Sequence, residues 1–246
     1  MHPTRNNNPG FTLIELLVVI AIIALLMGIL MPALSAVRKR AWSTVCQSNL
    51  RSVGFACNLY AEDNNYKVPR GGGGREETRW FFMLLPYLAQ KIPDGADYRN
   101  VEIYRCPAYP DKEQTVCFVI NAFTSAPADY KDVGVPTSID EMRSGASTIY
   151  VADNEDGSWR AIIKEREGEN WGSTDVSYPE HLPGTIIRNA GLTGDSWADI
   201  SDLQYNGCRV AHARHRQGHN ALYFDWHVGY VPAVESVVEN WRPKVH

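Results

Sequence analysis

A chain of 246 residues, 44% hydrophobic and 21% charged with a net charge of −4, is long enough for one domain with a proper core. The mild acidity, with no basic stripe beyond Arg38-Lys39-Arg40, points away from nucleic acid as a partner. Seven Trp and twelve Tyr against five Met argue for aromatic-rich strands and loops rather than a helical bundle.

Residues 1–10 form a short polar leader rich in Asn, and Pro9-Gly10 cannot join a helix. From Gly10-Phe11-Thr12-Leu13-Ile14-Glu15 the chain enters an apolar run reaching Met31 and beyond. No charged residue lies between Leu16 and Val37, which at about 1.5 Å per residue gives about 30 Å of helix, enough to cross a bilayer core. Glu15 is the exception. A carboxylate at a membrane edge is costly, so it marks a functional site whose cationic partner has to be found. A removed secretory signal fits less well: Ala33-Leu34-Ser35 is a passable cleavage site, but the apolar run is too long and contains an acid. Arg38-Lys39-Arg40 follow the span while Arg5 alone precedes it, which by the positive-inside rule would leave the C-terminus in the cytoplasm. The rest of the chain nevertheless reads as an exported domain.

A glycine immediately before Phe-Thr-Leu-Ile-Glu, followed by this apolar run, resembles the processing site of type IV prepilins and type II secretion pseudopilins. The resemblance implies that a prepilin peptidase cuts after Gly10 and methylates the new N-terminus, Phe11. It implies that Glu15 pairs with the N-terminal amine of a neighbouring subunit as a filament grows, and that Pro32 lets the helix bend or locally melt. Pilin-like proteins often carry basic residues just past the membrane, which accommodates Arg38-Lys39-Arg40.

Beyond the membrane the helix should continue. Ala33, Val37, Ala41 and Val45, then Leu50, Val53, Ala56, Cys57 and Tyr60, keep a helical period to about Ala61. Such a helix is apolar all round in its first half, which needs lipid or copies of itself, and amphipathic in its second, which needs a globular partner. Cys46-Gln-Ser-Asn49-Leu50-Arg51 is similar to a segment of a large bacterial subgroup of pilin-like proteins that bears a C-terminal motif written H-x9-D-G. Glu62 to Asn65 end the helix, and Pro69 with Gly71 to Gly74 forms a loop. Thr78 to Gln90 reads as a short helix with Trp80, Phe81, Leu84, Leu85 and Leu88 on its apolar side, kinked or stopped early at Pro86. Its Leu84-Leu-Pro-Tyr-Leu88 also looks like the subgroup and is read as packing.

Val101 to Tyr104 is expected to be a short strand running into Cys106-Pro107, another pairing seen in the subgroup. Thr115 to Ala122 and Ser147 to Ala152 read as two further strands, and Ser158 to Lys164 as a fourth in hairpin with the third. Asp153-Asn-Glu155-Asp156-Gly157 is an acidic turn. It offers oxygen ligands for calcium but lacks the EF-hand spacing, so a solvated turn is the preferred reading and no cofactor is expected. Glu165 to Asp202 is a charged, Gly-rich segment with no assignable ligand.

Five cysteines in an exported domain permit up to two disulfides, and their spacing matches no CxxC zinc pattern. Cys106 is expected to bond Cys46 or Cys57 on the adjoining helix, a closure worth about 3–4 kcal/mol. Asn220 to Phe224 and His227 to Val231 alternate as two strands of a hairpin. From His215 to Asp225 the spacing is that of the H-x9-D motif, but Trp226 stands where the subgroup has glycine. Asp-Gly suits a type I′ turn, and Trp takes positive φ poorly, so either the turn type differs or Trp226 makes a contact of its own. His212, His215, His219 and His227 with Asp225 form the densest set of potential zinc ligands. The preferred reading is that His215 and Asp225 hydrogen-bond to pin the hairpin, since no helical i, i+4 pair or Cys partner supports a metal. Gly194-Asp195-Ser196 resembles one hydrolase nucleophile block but is misplaced in the chain, and no enzyme is expected.

The expected fold is α+β and pilin-like: a leader (residues 1–10), a long helix (11–62, transmembrane at about 14–36) and an extracytoplasmic domain (63–246) with a small antiparallel sheet. The expected function is that of a pseudopilin or minor pilin, single-pass in the bacterial inner membrane. It would assemble with other pilins and an inner-membrane platform into a type II secretion pseudopilus or a type IV pilus-like filament. The alternative is a membrane-anchored module that binds a glycan or other ligand.

Overall fold

The computed structural model describes residues 12–69, 79–88, 101–110, 112, 114–123, 137–139, 144–155, 175–176, 181–189 and 208–242, to which every structural statement refers. It divides into two units, residues 1–41 and 42–246.

Helix α1 runs from Leu13 to Asp63 and is helical on both sides of Pro32. In the first unit every large apolar side chain from Leu13 to Val37 is exposed, as a sequence that is apolar all round dictates in the absence of lipid or partner. In the second unit the same helix is amphipathic. Cys46, Leu50, Val53, Gly54, Ala56, Cys57, Tyr60 and Ala61 form its buried stripe. The helix stops where Asn65 and Tyr66 take positive φ (54° and 56°), and Tyr66 N–H donates to the carbonyl of Ala61 at 2.8 Å.

The second unit is built on a five-stranded sheet. Its strands are β2 (Phe118–Asn121), β4 (Ile149–Asp153), β5 (Asp175–Val176), β6 (Gly218–Tyr223) and β7 (Val228–Pro232) in the order β5-β2-β4-β6-β7. The β2–β4, β4–β6 and β6–β7 pairs are antiparallel, and the short β5 pairs parallel to β2. A separate two-residue ladder joins β1 (Lys67–Val68) to β3 (Thr137–Ser138). Both faces of the sheet are covered, so the central strands read as continuous apolar runs. One face, with Phe118, Ile120, Tyr150, Val151 and Leu222, packs on the α1 stripe and on Trp80, Phe81 and Tyr104. The other face, with Val119, Ile149, Ala152 and Ala221, packs on Leu182 and on Trp241 of helix α4 (Val238–Trp241). Tyr150 and Val151 are consecutive yet share a face because the β4–β6 register shifts between Ile149 and Val151.

Helix α2 is Trp80–Met83, and a 3₁₀ turn over Leu85–Tyr87 follows as Pro86 ends the α-helical hydrogen bonding. The expected strand at 101–104 is instead a 3₁₀ turn, Glu102–Tyr104. Its driving contact is not a ladder: Tyr104 is fully buried, and its hydroxyl donates to the carbonyl of Phe81 at 2.8 Å. The expected strand at 158–164 lies outside the described residues. Of 165–202, residues 175–176 form β5 and Pro183–Asn189 form helix α3.

Candidate functional site

Gly10 and Phe11, the expected processing residues, lie outside the described residues, but Glu15 is placed. Thr12 donates its backbone N–H and its hydroxyl to Glu15 Oε2 at 2.9 and 2.7 Å, and Glu15 N–H donates back to Thr12 Oγ1 at 3.3 Å. This is a reciprocal capping box at the start of α1. The Thr-x-x-Glu spacing was there in the sequence, and reading Glu15 only as an assembly acid overlooked it. Among the described residues α1 is the one helix long and apolar enough to cross a membrane. Pro32 removes the N–H that would bond the carbonyl of Gly28, one turn earlier.

The second site is inside the domain. Cys46 on α1, Cys106 after the 3₁₀ turn, Asp153 at the end of β4 and His215 before β6 are all buried, and their ligand atoms lie within 4.8 Å of one another. Cys46 Sγ is 2.9 Å from Asp153 Oδ1, and His215 Nε2 is 3.4 Å from Cys106 Sγ and 3.5 Å from Asp153 Oδ2. Neighbouring polar contacts hold these groups. Asn220 N–H donates to Asp153 Oδ2 at 2.7 Å, and Gln47 donates to the Asn220 side chain at 3.0 Å. Asn49 donates to the carbonyl of Arg105, the residue before Cys106, at 2.8 Å. The Cys46–Asn49 segment therefore fastens α1 both to the sheet and to the Cys106 loop.

The electrostatics differ group by group. A hydrogen bond from Cys46, opposed by burial and the Asp153 charge and aided by His215, pulls the Cys106 thiol down to about 6. Burial, with Cys106 and Asp153 beside it, pushes the Cys46 thiol well up. The single Cys46 proton thus has two acceptors in reach. Burial acts to depress His215, but its hydrogen bond with Cys106 and the charge of Asp153 prevail and raise it.

Three sequence expectations change here. All five cysteines are free thiols: Cys106 meets Cys46 without a disulfide between them, and Cys57 stands apart from the cluster, its thiol pushed up by burial. His215 does not pin the hairpin through Asp225. The six residues of β6 separate the two by about 20 Å of strand. Asp225 instead takes His227, whose Nδ1 is at 2.6 Å on the exposed turn. Trp226, standing where the subgroup's motif has glycine, takes a left-handed backbone with φ 71°, and also makes its own contact, edge-on to Tyr150 at 6.0 Å between ring centres. The turn is not type I′. Trp226 N–H donates to the carbonyl of Tyr223, and Tyr223 N–H to that of His227, so one turn is followed by a left-handed residue. Of the acidic turn, Asp153 belongs to the thiol cluster, Glu155 accepts from His212 N–H at 2.8 Å, and Asp156 lies outside the described residues. The Gly194-Asp195-Ser196 block does so too.

Residues 5–31 match the prokaryotic N-terminal methylation motif. The chain is also 52% identical over 59 residues to the type IV wide pilus major component PilA4 of Thermus thermophilus. That stretch is 24% of this chain and 45% of the relative, so the likeness spans less than half of the relative's length. No solved structure matches. These matches make the N-terminal stretch of the chain similar to that of type IV prepilins, and the exposed apolar helix on an α+β domain agrees with that likeness.

Proposed function

We propose that the chain is a pilin-like structural subunit, cut after Gly10 and methylated on Phe11 by a prepilin peptidase. It is held in the bacterial inner membrane by residues of about 14–36, with the domain outside the cytoplasm. The mature subunit joins other pilins, over an inner-membrane platform, in a type IV pilus-like filament or a type II secretion pseudopilus. The observation that carries this reading is α1 itself. One continuous helix begins within the stretch that matches the methylation motif, exposes every large apolar side chain over its first half and buries a stripe in a globular domain over its second. That is a helix with two successive solvents. That the relative in Thermus thermophilus is a major pilus component supports a filament as the destination.

Mass spectrometry of the chain from membranes tests it. The mature protein should begin with N-methyl-Phe11, Gly10→Asp should accumulate uncut precursor, and sheared surface filaments or pulled-down pilins should contain the chain. A mature start near Val37 would replace this reading with that of a secreted protein. Correct processing without any filament or pilin partner would leave a membrane-anchored binding module.

A further inference from the structure

Three pieces of sequence that stand far apart, the Cys46–Asn49 segment, Cys106-Pro107 and the His215 motif, end at one place, and the acidic turn supplies Asp153 to it. We propose that Cys46, Cys106, Asp153 and His215 form a structural site for a thiophilic divalent cation, zinc above all.

The donor set is the first argument. Two thiolates, an imidazole and a carboxylate select zinc over magnesium or calcium, which take oxygen alone. Geometry is the second. Zinc bonds of about 2.0–2.3 Å put tetrahedral ligands about 3.3–3.8 Å apart. The neighbouring donors are 2.9, 3.4 and 3.5 Å apart and the whole set lies within 4.8 Å, so a metal at their centre asks for movements of about 1 Å at most. Burial is the third. All four donors are buried, leaving no open position for water or substrate, which is the closed form of structural sites. Charge is the fourth. Two thiolates and a carboxylate exceed a divalent cation by one, and Arg214 supplies the balance nearby. Its guanidinium donates to the carbonyl of Asn154 at 2.7 Å and lies over the Tyr109 ring at 4.1 Å.

The same residues do not make a cysteine nucleophile with its base. In such a set the imidazole gives one nitrogen to the thiol and the other to the orienting carboxylate. Here Cys106 and Asp153 both approach Nε2, and Nδ1 has no hydrogen-bond partner among the described residues. The imidazole and both sulfurs face one common point. A metal there joins four segments, the second half of the long helix at Cys46, the Cys106 loop, β4 and the approach to β6, and so fixes that part of α1 on the sheet.

The test uses the full chain purified in detergent, stripped with a chelator and titrated with Co²⁺ and then Zn²⁺. One Co²⁺ should bind per chain, with tetrahedral visible bands and intense sulfur-to-metal charge transfer, and Zn²⁺ should displace it. Cys46→Ser and Cys106→Ser should each weaken Co²⁺ binding on the order of 100-fold or more and lose much of the charge transfer. Cys57→Ser, a buried thiol outside the cluster, should change neither. A measurement on the unaltered chain guards against variants that fail to fold: X-ray absorption of the zinc-loaded protein should show two sulfurs at about 2.3 Å and two lighter donors at about 2.0–2.1 Å. The proposal is overturned by no stoichiometric Co²⁺, by Co²⁺ without charge transfer, by zinc with only nitrogen and oxygen neighbours, or by a Cys46–Cys106 disulfide in the chain as isolated.

Discussion

Gly54 of α1 lies directly against Leu222 of β6: a Cβ on Gly54 would come within 2.9 Å of Leu222 Cδ1 and 3.8 Å of the Trp226 carbonyl. The missing side chain is what lets the helix approach the sheet. Gly54→Ala gains about 1 kcal/mol of helix propensity and loses a similar amount to crowding, so it should leave stability nearly unchanged. Gly54→Leu has no such exit, because Leu222 is itself fully buried. It should lower stability by about 1–3 kcal/mol. Urea unfolding should show a lower midpoint with an unchanged slope.

Trp226 sets strain against packing. Its positive φ favours glycine, while its indole packs on Tyr150. Trp226→Ala loses the packing and keeps the strain; Trp226→Gly loses the packing and releases it. The glycine variant should therefore be the more stable of the two by about 1 kcal/mol, reversing the usual preference for alanine. Thermal midpoints of the two proteins decide the order.

How much of this was legible in the sequence follows how local each feature is. The helical period that marks Leu50, Val53, Cys57 and Tyr60 is carried by near neighbours, and these residues line the buried stripe. The apolar run over Ser147–Ala152 likewise predicts β4 within two residues. Tyr104 escaped because its short apolar stretch is fixed by the Phe81 carbonyl, a partner on another element. His215 escaped for the same reason. The spacing to Asp225 is a fact about the chain, whereas its contact with Asp153 arises only once β4 and the approach to β6 are brought together. The cluster was therefore legible in its parts and not in its assembly.

Two buried histidines should make the domain labile to mild acid. His219 is fully buried; its Nδ1–H donates to the carbonyl of Ala211 at 2.9 Å, and Nε2 has no partner among the described residues. Burial pushes its pKa down to about 4, with His215 adding to the effect and Asp153, the Ala211 carbonyl and Glu155 opposing it. Burial and the charge of Arg209 push His181 down to about 3. In the unfolded chain both take a proton near the ordinary value of about 6.5. Between that value and the folded one the unfolded state binds more protons, so stability falls as pH falls. His219 alone should account for about 2 kcal/mol lost by about pH 5 relative to neutrality. In the metal-free chain His215, raised in the folded state, acts in the opposite sense. Urea midpoints measured through this range should decline, and His219→Gln should flatten the decline.

Glu15 carries the deciding prediction, and its capping box sharpens the experiment. An unpaired carboxylate at the lipid boundary costs about 2–3 kcal/mol on insertion scales. In the single chain Thr12 already supplies two donors to it. On the proposed function, a neighbouring subunit's α-amine at Phe11 would have to offer more than hydrogen bonding, namely a full charge where water is scarce. Two substitutions separate these contributions. Glu15→Val removes both the cap and the charge; Glu15→Gln retains the cap, since a glutamine serves in the same box, and removes the charge alone. Both variants should insert at least as well as the natural chain and be cut after Gly10. Both should fail to enter filaments or to recruit partner pilins. Assembly by Glu15→Gln but not Glu15→Val would assign the acid to the helix start rather than to the neighbouring amine. Normal cleavage and normal assembly by Glu15→Val would remove the structural-subunit reading and leave the anchored binding module in its place.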